Sequence, residues 1–168
     1  SDTTNGQPLR ITSYTTGTIL DDTGNSMTST TLPTGSNMFG GKSIVIDSIT
    51  PYFSELSVDS DNLVKITFSE PVFPNSSGSG FLQNSDFTLS LSGGSATLLS
   101  STPTNVEYVT TEVYRLSLAL SGTSDGDEVL TINPASSTSI YDAAGNAVVT
   151  PQTINQVNLH DQKVALIS

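Results

Sequence analysis

Wherever apolar residues cluster in this chain, they alternate with polar ones. In NLVKITFS, residues 62–69, Val64, Ile66 and Phe68 fall on one side, with Lys65 and Thr67 on the other. In DFTLSLS, residues 86–92, Phe87, Leu89 and Leu91 share a side. In EVYRLSLAL, residues 112–120, Tyr114, Leu116, Leu118 and Leu120 do so, with Arg115 and Ser117 opposite. EVLTIN, residues 128–133, repeats the pattern with Leu130 and Ile132. A period of two describes a strand with one face in a core and one in water. No segment shows convincing helical periodicity. Turn formers stand between the runs: PNSSGSG, SGG, SGTSDGD, NP and AAGN. Ser and Thr make up about 30% of the chain; both are poor helix formers, and Thr suits strands.

Strands are therefore expected near 9–15, 43–47, 54–59, 62–69, 86–92, 95–100, 104–110, 112–120, 127–133, 147–149 and 155–159. Nine of these ranges lie between Ser48 and Leu159, enough for the seven or eight strands of one sandwich. That number, at that spacing, makes one β-sandwich of immunoglobulin-like size. Phe68, Phe87, Leu89, Leu116, Leu118 and Ile132 are expected between its sheets. Each such side chain contributes roughly 1.5–3 kcal/mol on burial. The predicted fold class is all-β, an immunoglobulin-like β-sandwich with an incomplete N-terminal β-unit.

One phrase occurs twice. ILDDTGNSM begins at Ile19 and IYDAAGNAV at Ile140. Further on, IVIDSITPYFSELS aligns loosely with NLHDQKVALIS. Residues 1–47 thus read as the closing part of one unit, 48–160 as a complete unit, and 161–168 as an overhanging strand. The repeated Asp-x-x-Gly-Asn is a turn lock first: Asp142 caps through its side chain, Gly145 takes positive φ and Asn146 tolerates left-handed geometry. Asp21 or Asp22, Gly24 and Asn25 have the same capacity.

VKITFSEPV, DFTLSLSGGSATL, YRLSLALSGTSDGDEVLTINP and SIYDAAGNAV resemble the bacterial Ig-like and cadherin-like tandem repeats of large secreted and cell-surface proteins. LRITSYTTGTILDDTGNSM, with the later TLPTGSN and KSIVIDSITP, is similar to the end of a companion repeat. The resemblance implies stalks, adhesin shafts or fibre modules at an extracellular, bacterial location. It also implies that strands are missing before LRITSYT. A few strands cannot bury a two-sided core alone, and an open edge exposes unpaired backbone groups. Two readings follow. Either this is a stalk or carbohydrate-binding accessory module excised from a large secreted adhesin or enzyme, or another copy completes it. In the second case the donor is KVALIS, with Val164, Leu166 and, less regularly, Ile167 entering the groove beside Leu9 and Ile11 of a neighbour. Strand addition takes affinity from main-chain bonds and register from alternate side chains. Head-to-tail contacts that do not close produce filaments.

The net charge is −11. Such a chain binds polyanions poorly, which excludes nucleic acid as a partner and leaves cations and neutral glycans. There is no cysteine, so disulfides and thiolate metal sites are excluded. No apolar run approaches the ~20 residues of a membrane-spanning helix, so membrane insertion is not expected. No signal-peptide pattern stands at the start, and SDTTNGQP reads as a cleaved or cut end.

Calcium, which takes six to eight oxygens, is the cofactor these carboxylates would suit. Asp59 and Asp61 sit in VDSDN, Asp125, Asp127 and Glu128 in SDGDE, and Asp47 and Asp161 at the unit junctions, with Glu70 a further candidate. No complete Asp-x-Asp-x-Asp loop with a distant Glu is present. Catalysis finds little support. His160 is the one histidine and no Gly-x-Ser-x-Gly elbow occurs, so a Ser-His-Asp arrangement is not expected. Glycan binding needs an aromatic platform, for which Tyr14, Tyr52, Phe53, Tyr108 and Tyr141 are the candidates, though each suits the core or a sheet face better. Asn75, in NSS, fits the glycosylation acceptor pattern, and the Ser/Thr-rich TSTTLPTGS would suit O-linked sugars.

Overall fold

The computed structural model describes residues 8–9, 23, 44–45, 47–60 and 62–163. The chain divides into two compact units, Ser1–Ser48 and Ile49–Ser168. In the first unit, β1 (Pro8–Leu9) pairs antiparallel with β2 (Ile44–Val45), placing Leu9 opposite Ile44. Thr23, in the first copy of the repeated phrase, lies exposed in a turn.

The second unit is all-β, and all its strand pairs are antiparallel. Its strands are β3 (Phe53–Ser60), β4 (Leu63–Phe68), β5 (Phe87–Ser92), β6 (Thr97–Leu98), β7 (Asn105–Thr110), β8 (Val113–Ser117), β9 (Leu120–Ser121), β10 (Val129–Pro134) and β11 (Gln156–Asn158). One sheet has four strands in the order β3-β4-β8-β7, the other three in the order β11-β10-β5. Numbering the seven longer strands A to G, these orders read A-B-E-D and G-F-C. That is the pairing order of a constant-type immunoglobulin sandwich, here without cysteine or tryptophan.

The alternation places the core. In β4, Val64, Ile66 and Phe68 are buried while Leu63, Lys65 and Thr67 are half-buried. Val64 stands opposite Leu116 and Ile66 opposite Tyr114 across the β4–β8 pair. From the other sheet come Phe87, Leu89, Leu130 and Ile132, in one hydrophobic cluster with them. All six residues expected between the sheets are buried. Aromatic rings extend the core sideways: Phe53 meets Phe68 edge-on at 5.2 Å, and Phe68 meets Tyr114 at 6.2 Å.

Two expected strands are interrupted. The run 112–120 breaks after Ser117, where the Leu118 N–H donates to the Asn62 carbonyl at 2.8 Å. The chain then changes partners, and β9 pairs with β6 through Thr97↔Ser121 and Leu98↔Leu120. Inward alternation continues across this switch, so the pattern of side chains hides it. Residues 147–149 make single contacts instead of a strand: Ala147 bridges Tyr141, Val148 N–H donates to the Ile140 carbonyl, and Val149 N–H to the Pro51 carbonyl.

Candidate functional site

Residues 160–163 lie where two loops converge, the β5–β6 loop at SGGSA (92–96) and the β9–β10 loop at GTSDGDE (122–128). Glu128 ties them together. It is a hairpin-tip carboxylate by sequence, yet its side chain is fully buried. Oε1 accepts the backbone N–H groups of Ser95 and Ala96, both at 2.8 Å. Oε2 accepts those of Asp125 at 2.9 Å and Gly126 at 3.1 Å. Burial pushes the Glu128 carboxyl up, but the N–H groups of Ala96, Asp125, Glu128 and Ser95 outweigh it and hold the group below the ordinary glutamate value. A buried carboxylate is tolerated when its lone pairs are met in this way. The loop makes room for it with Gly94, whose φ is +59°; a Cβ there would lie 2.2 Å from Glu128 Oε1. The SGG motif is therefore a close-approach site as well as a turn.

Asp125 faces the other way, toward residues 161–163. Its Oδ2 accepts the Ser95 hydroxyl at 2.5 Å and the Lys163 ammonium at 3.0 Å. The same ammonium donates to Ser95 Oγ at 2.8 Å. The Ser95 hydroxyl, then the Lys163 ammonium, hold the Asp125 carboxyl down at about 2. Its bond to Asp125 pushes the Lys163 amine up, and the charges of Glu128 and Asp161 add to this against desolvation. The backbone is fastened as well. Asp161 bridges Asp125 in antiparallel sense, and the Gln162 N–H donates to the Ser124 carbonyl at 2.9 Å. Ser124 Oγ donates to the His160 carbonyl at 2.8 Å, and Asp161 Oδ1 accepts the Lys163 N–H at 2.8 Å. An open groove of about 700 Å³ adjoins, lined among others by Asp59, Asn62, Thr123, His160 and Gln162.

The second copy of the repeated phrase forms a turn capped by Asp142 with Gly145 at positive φ, as expected, but Asn146 does not take up left-handed geometry. Asp142 is buried. Its Oδ1 accepts the N–H groups of Ala144 at 2.8 Å and Asn146 at 2.7 Å, and Oδ2 accepts Asn146 Nδ2 at 2.7 Å. Gly145 closes the turn with φ +89°.

Of the other candidate ligands, Asp59 Oδ2 accepts Arg115 Nε at 2.8 Å, Asp127 is exposed, and Asp47 lies half-buried in the first unit. The Glu70 and Asp142 carboxylates come within 4.8 Å of one another. Asp61, Ile11, Val164, Leu166 and Ile167 lie outside the described residues, as does Tyr14. Asn75 is half-buried, and its Nδ2 donates to the Ser79 carbonyl at 2.7 Å inside its own loop. Of the aromatic candidates, Phe53 is buried, whereas Tyr52 and Tyr108 are exposed. Tyr108 carries a neighbour that the alternation could not reveal: Phe81, 56% exposed, packs on it with ring centroids 4.5 Å apart. Gln152, also unmarked in sequence, is buried and accepts the Phe53 N–H through Oε1 at 2.6 Å.

No protein-family model matches the sequence, and no curated protein matches it. Two solved structures are similar in fold. One is the N-terminal part of the bacterial S-layer protein SbsC, 20% identical, covering 66% of this chain and 24% of that one, with a TM-score of 0.47. The other is the S-layer protein rSbsC(31-844), 20% identical, covering 69% of this chain and 14% of that one, also with a TM-score of 0.47. The chain thus spans a small part of either protein.

Proposed function

We propose that the chain is an extracellular structural module of a bacterial cell surface, linked end to end without turnover. In this reading it is a fibre or filament subunit, and copies join by β-strand complementation. The observation that carries the reading is the geometry of the chain exit. The second unit closes its own core, and the chain is then fastened to it through Lys163 with the apolar alternation of VALIS still ahead. An alternating apolar segment suits donation to another copy, because strand addition takes its register from alternate side chains. The test is electron microscopy of the purified protein beside a variant lacking residues 164–168. Filaments that vanish on deletion support donation by that strand; long fibres from the truncated protein exclude it.

Calcium enters this reading as an accessory ion. Asp59 and Asp125 already face basic side chains, so the Glu70–Asp142 pair is where we place a cation, with carbonyls and water completing its shell.

A second reading, a glycan-binding accessory module, is favoured by the Phe81–Tyr108 pair. Tyr108 also packs edge-on against the buried Tyr114 at 5.7 Å, so the exposed rings rest on the core. If they form a platform, Tyr108→Ala abolishes retention on an insoluble polysaccharide while the melting curve stays cooperative. Equal retention of the two proteins removes the platform.

A further inference from the structure

We propose that Lys163 is the second unit's own clamp: its ammonium holds segment 160–163 onto the two loops that Glu128 joins. The clamp stands whether or not copies assemble. It rests on three facts of geometry. First, the ammonium reaches both loops at once, Ser95 Oγ at 2.8 Å on one and Asp125 Oδ2 at 3.0 Å on the other. Second, these loops are not free to drift, because each sends two backbone N–H groups to the buried Glu128 carboxylate. Third, the exit backbone is already in place: Gln162 N–H bonds the Ser124 carbonyl, and Asp161 receives the Lys163 N–H. The lysine therefore closes a nearly finished structure and orders little that is otherwise loose.

The charge distribution explains why a cation belongs there. Asp125, Asp127, Glu128 and Asp161 bring four carboxyl groups to this end of the unit. Among the described residues the other Lys and Arg side chains are Lys65 and Arg115, on adjacent strands of the four-stranded sheet, and Arg115 binds Asp59. Lys163 is the described lysine or arginine that meets the loop carboxylates.

Trypsin tests this directly, because cleavage after Lys163 requires the protease to take that ammonium into its own specificity pocket. The experiment compares the full chain with Asp125→Ala and, separately, Ser95→Ala, following release of the last five residues by mass spectrometry. Half of the Lys163 side chain is exposed (51%), so the clamp is of surface strength. Each variant is expected to speed cleavage after Lys163 by roughly two- to fivefold, while cleavage after Lys65 and Arg115, inside β4 and β8, stays slow. Added salt should speed the wild-type cut and leave the Asp125→Ala cut unchanged. If Asp125→Ala also opens the Lys65 and Arg115 sites, the unit has lost its fold and Ser95→Ala decides. Unchanged cleavage after Lys163 in a folded variant overturns the clamp. A failure of the filament test leaves this result untouched, so the two ideas fall separately.

Discussion

Asp125 shows how one carboxylate acquires a pH window. Its partners hold it down at about 2, below the ordinary value of 3.8. A carboxyl whose folded value is depressed contributes stability above its unfolded value and loses that contribution as pH falls through the folded one. The contribution is therefore full above about pH 4 and gone below about pH 2. Lys163, raised by the same bond, behaves inversely: its contribution is full below 10.5 and fades as pH climbs past it. Lys163, Glu128 and Asp161 share this corner, and Asp127 donates its backbone N–H to Asp125 Oδ1 at 3.4 Å. The expected outcome is that Asp125→Asn melts below the wild type at neutral pH and that the two curves converge as the pH approaches about 2. Melting temperature against pH for the two proteins checks this; parallel curves down to that pH would separate Asp125 from stability. Nothing local in SDGDE distinguishes Asp125 from Glu128. One is bound by a lysine 38 positions on and the other is buried under four N–H donors.

At the level of the strand, the alternation was legible and the breaks in it were not. Leu116 is fully buried and stands opposite both Val64 and Val106. Leu116→Ala is expected to cost about 2–5 kcal/mol, the range for a buried leucine whose surroundings cannot collapse, read by urea denaturation at constant slope. A cost near zero would mean that the inner faces are not packed as described. The outer face shows a different compromise. Lys65 and Arg115 stand directly opposite each other, a repulsive arrangement, but Asp59 and Glu107 flank the guanidinium at 2.8 and 3.8 Å. The outer strands carry irregularities too: β3 shifts register between Phe53 and Glu55 and again between Val58 and Ser60, and β7 shifts between Tyr108 and Thr110. Bulges twist an edge out of the flat form that a foreign strand needs. In the proposed assembly, pairing with a second copy then avoids the flanks of the four-stranded sheet.

For the molecule as a whole, the high negative charge makes cations the natural effectors. If a cation bridges Glu70 and Asp142, a chelator lowers the melting temperature by mass action, and Glu70→Gln removes the response. A wild-type melting temperature unmoved by chelator takes calcium out of the proposal. Division into two units, Ser1–Ser48 and Ile49–Ser168, is compatible with either a repeat cut out of phase or a subunit completed by its neighbour, and the filament experiment separates them.

The longer strands, their faces and the six core residues read from the alternation followed from the amino-acid order alone, because a period of two is a property of neighbouring residues; buried Val72, Leu82 and Ile140, which lie outside those strands, did not. The Asp142 turn followed too, since its donors lie within four positions. Only the tertiary structure decided which loops share an end of the sandwich. Ser95 meets Glu128 across 33 positions and Lys163 across 68, distances along the chain that strand order closes and no local pattern records. The same reason hid Phe81 beside Tyr108: one ring comes from a loop and the other from an outer strand, and only folding brings them into contact.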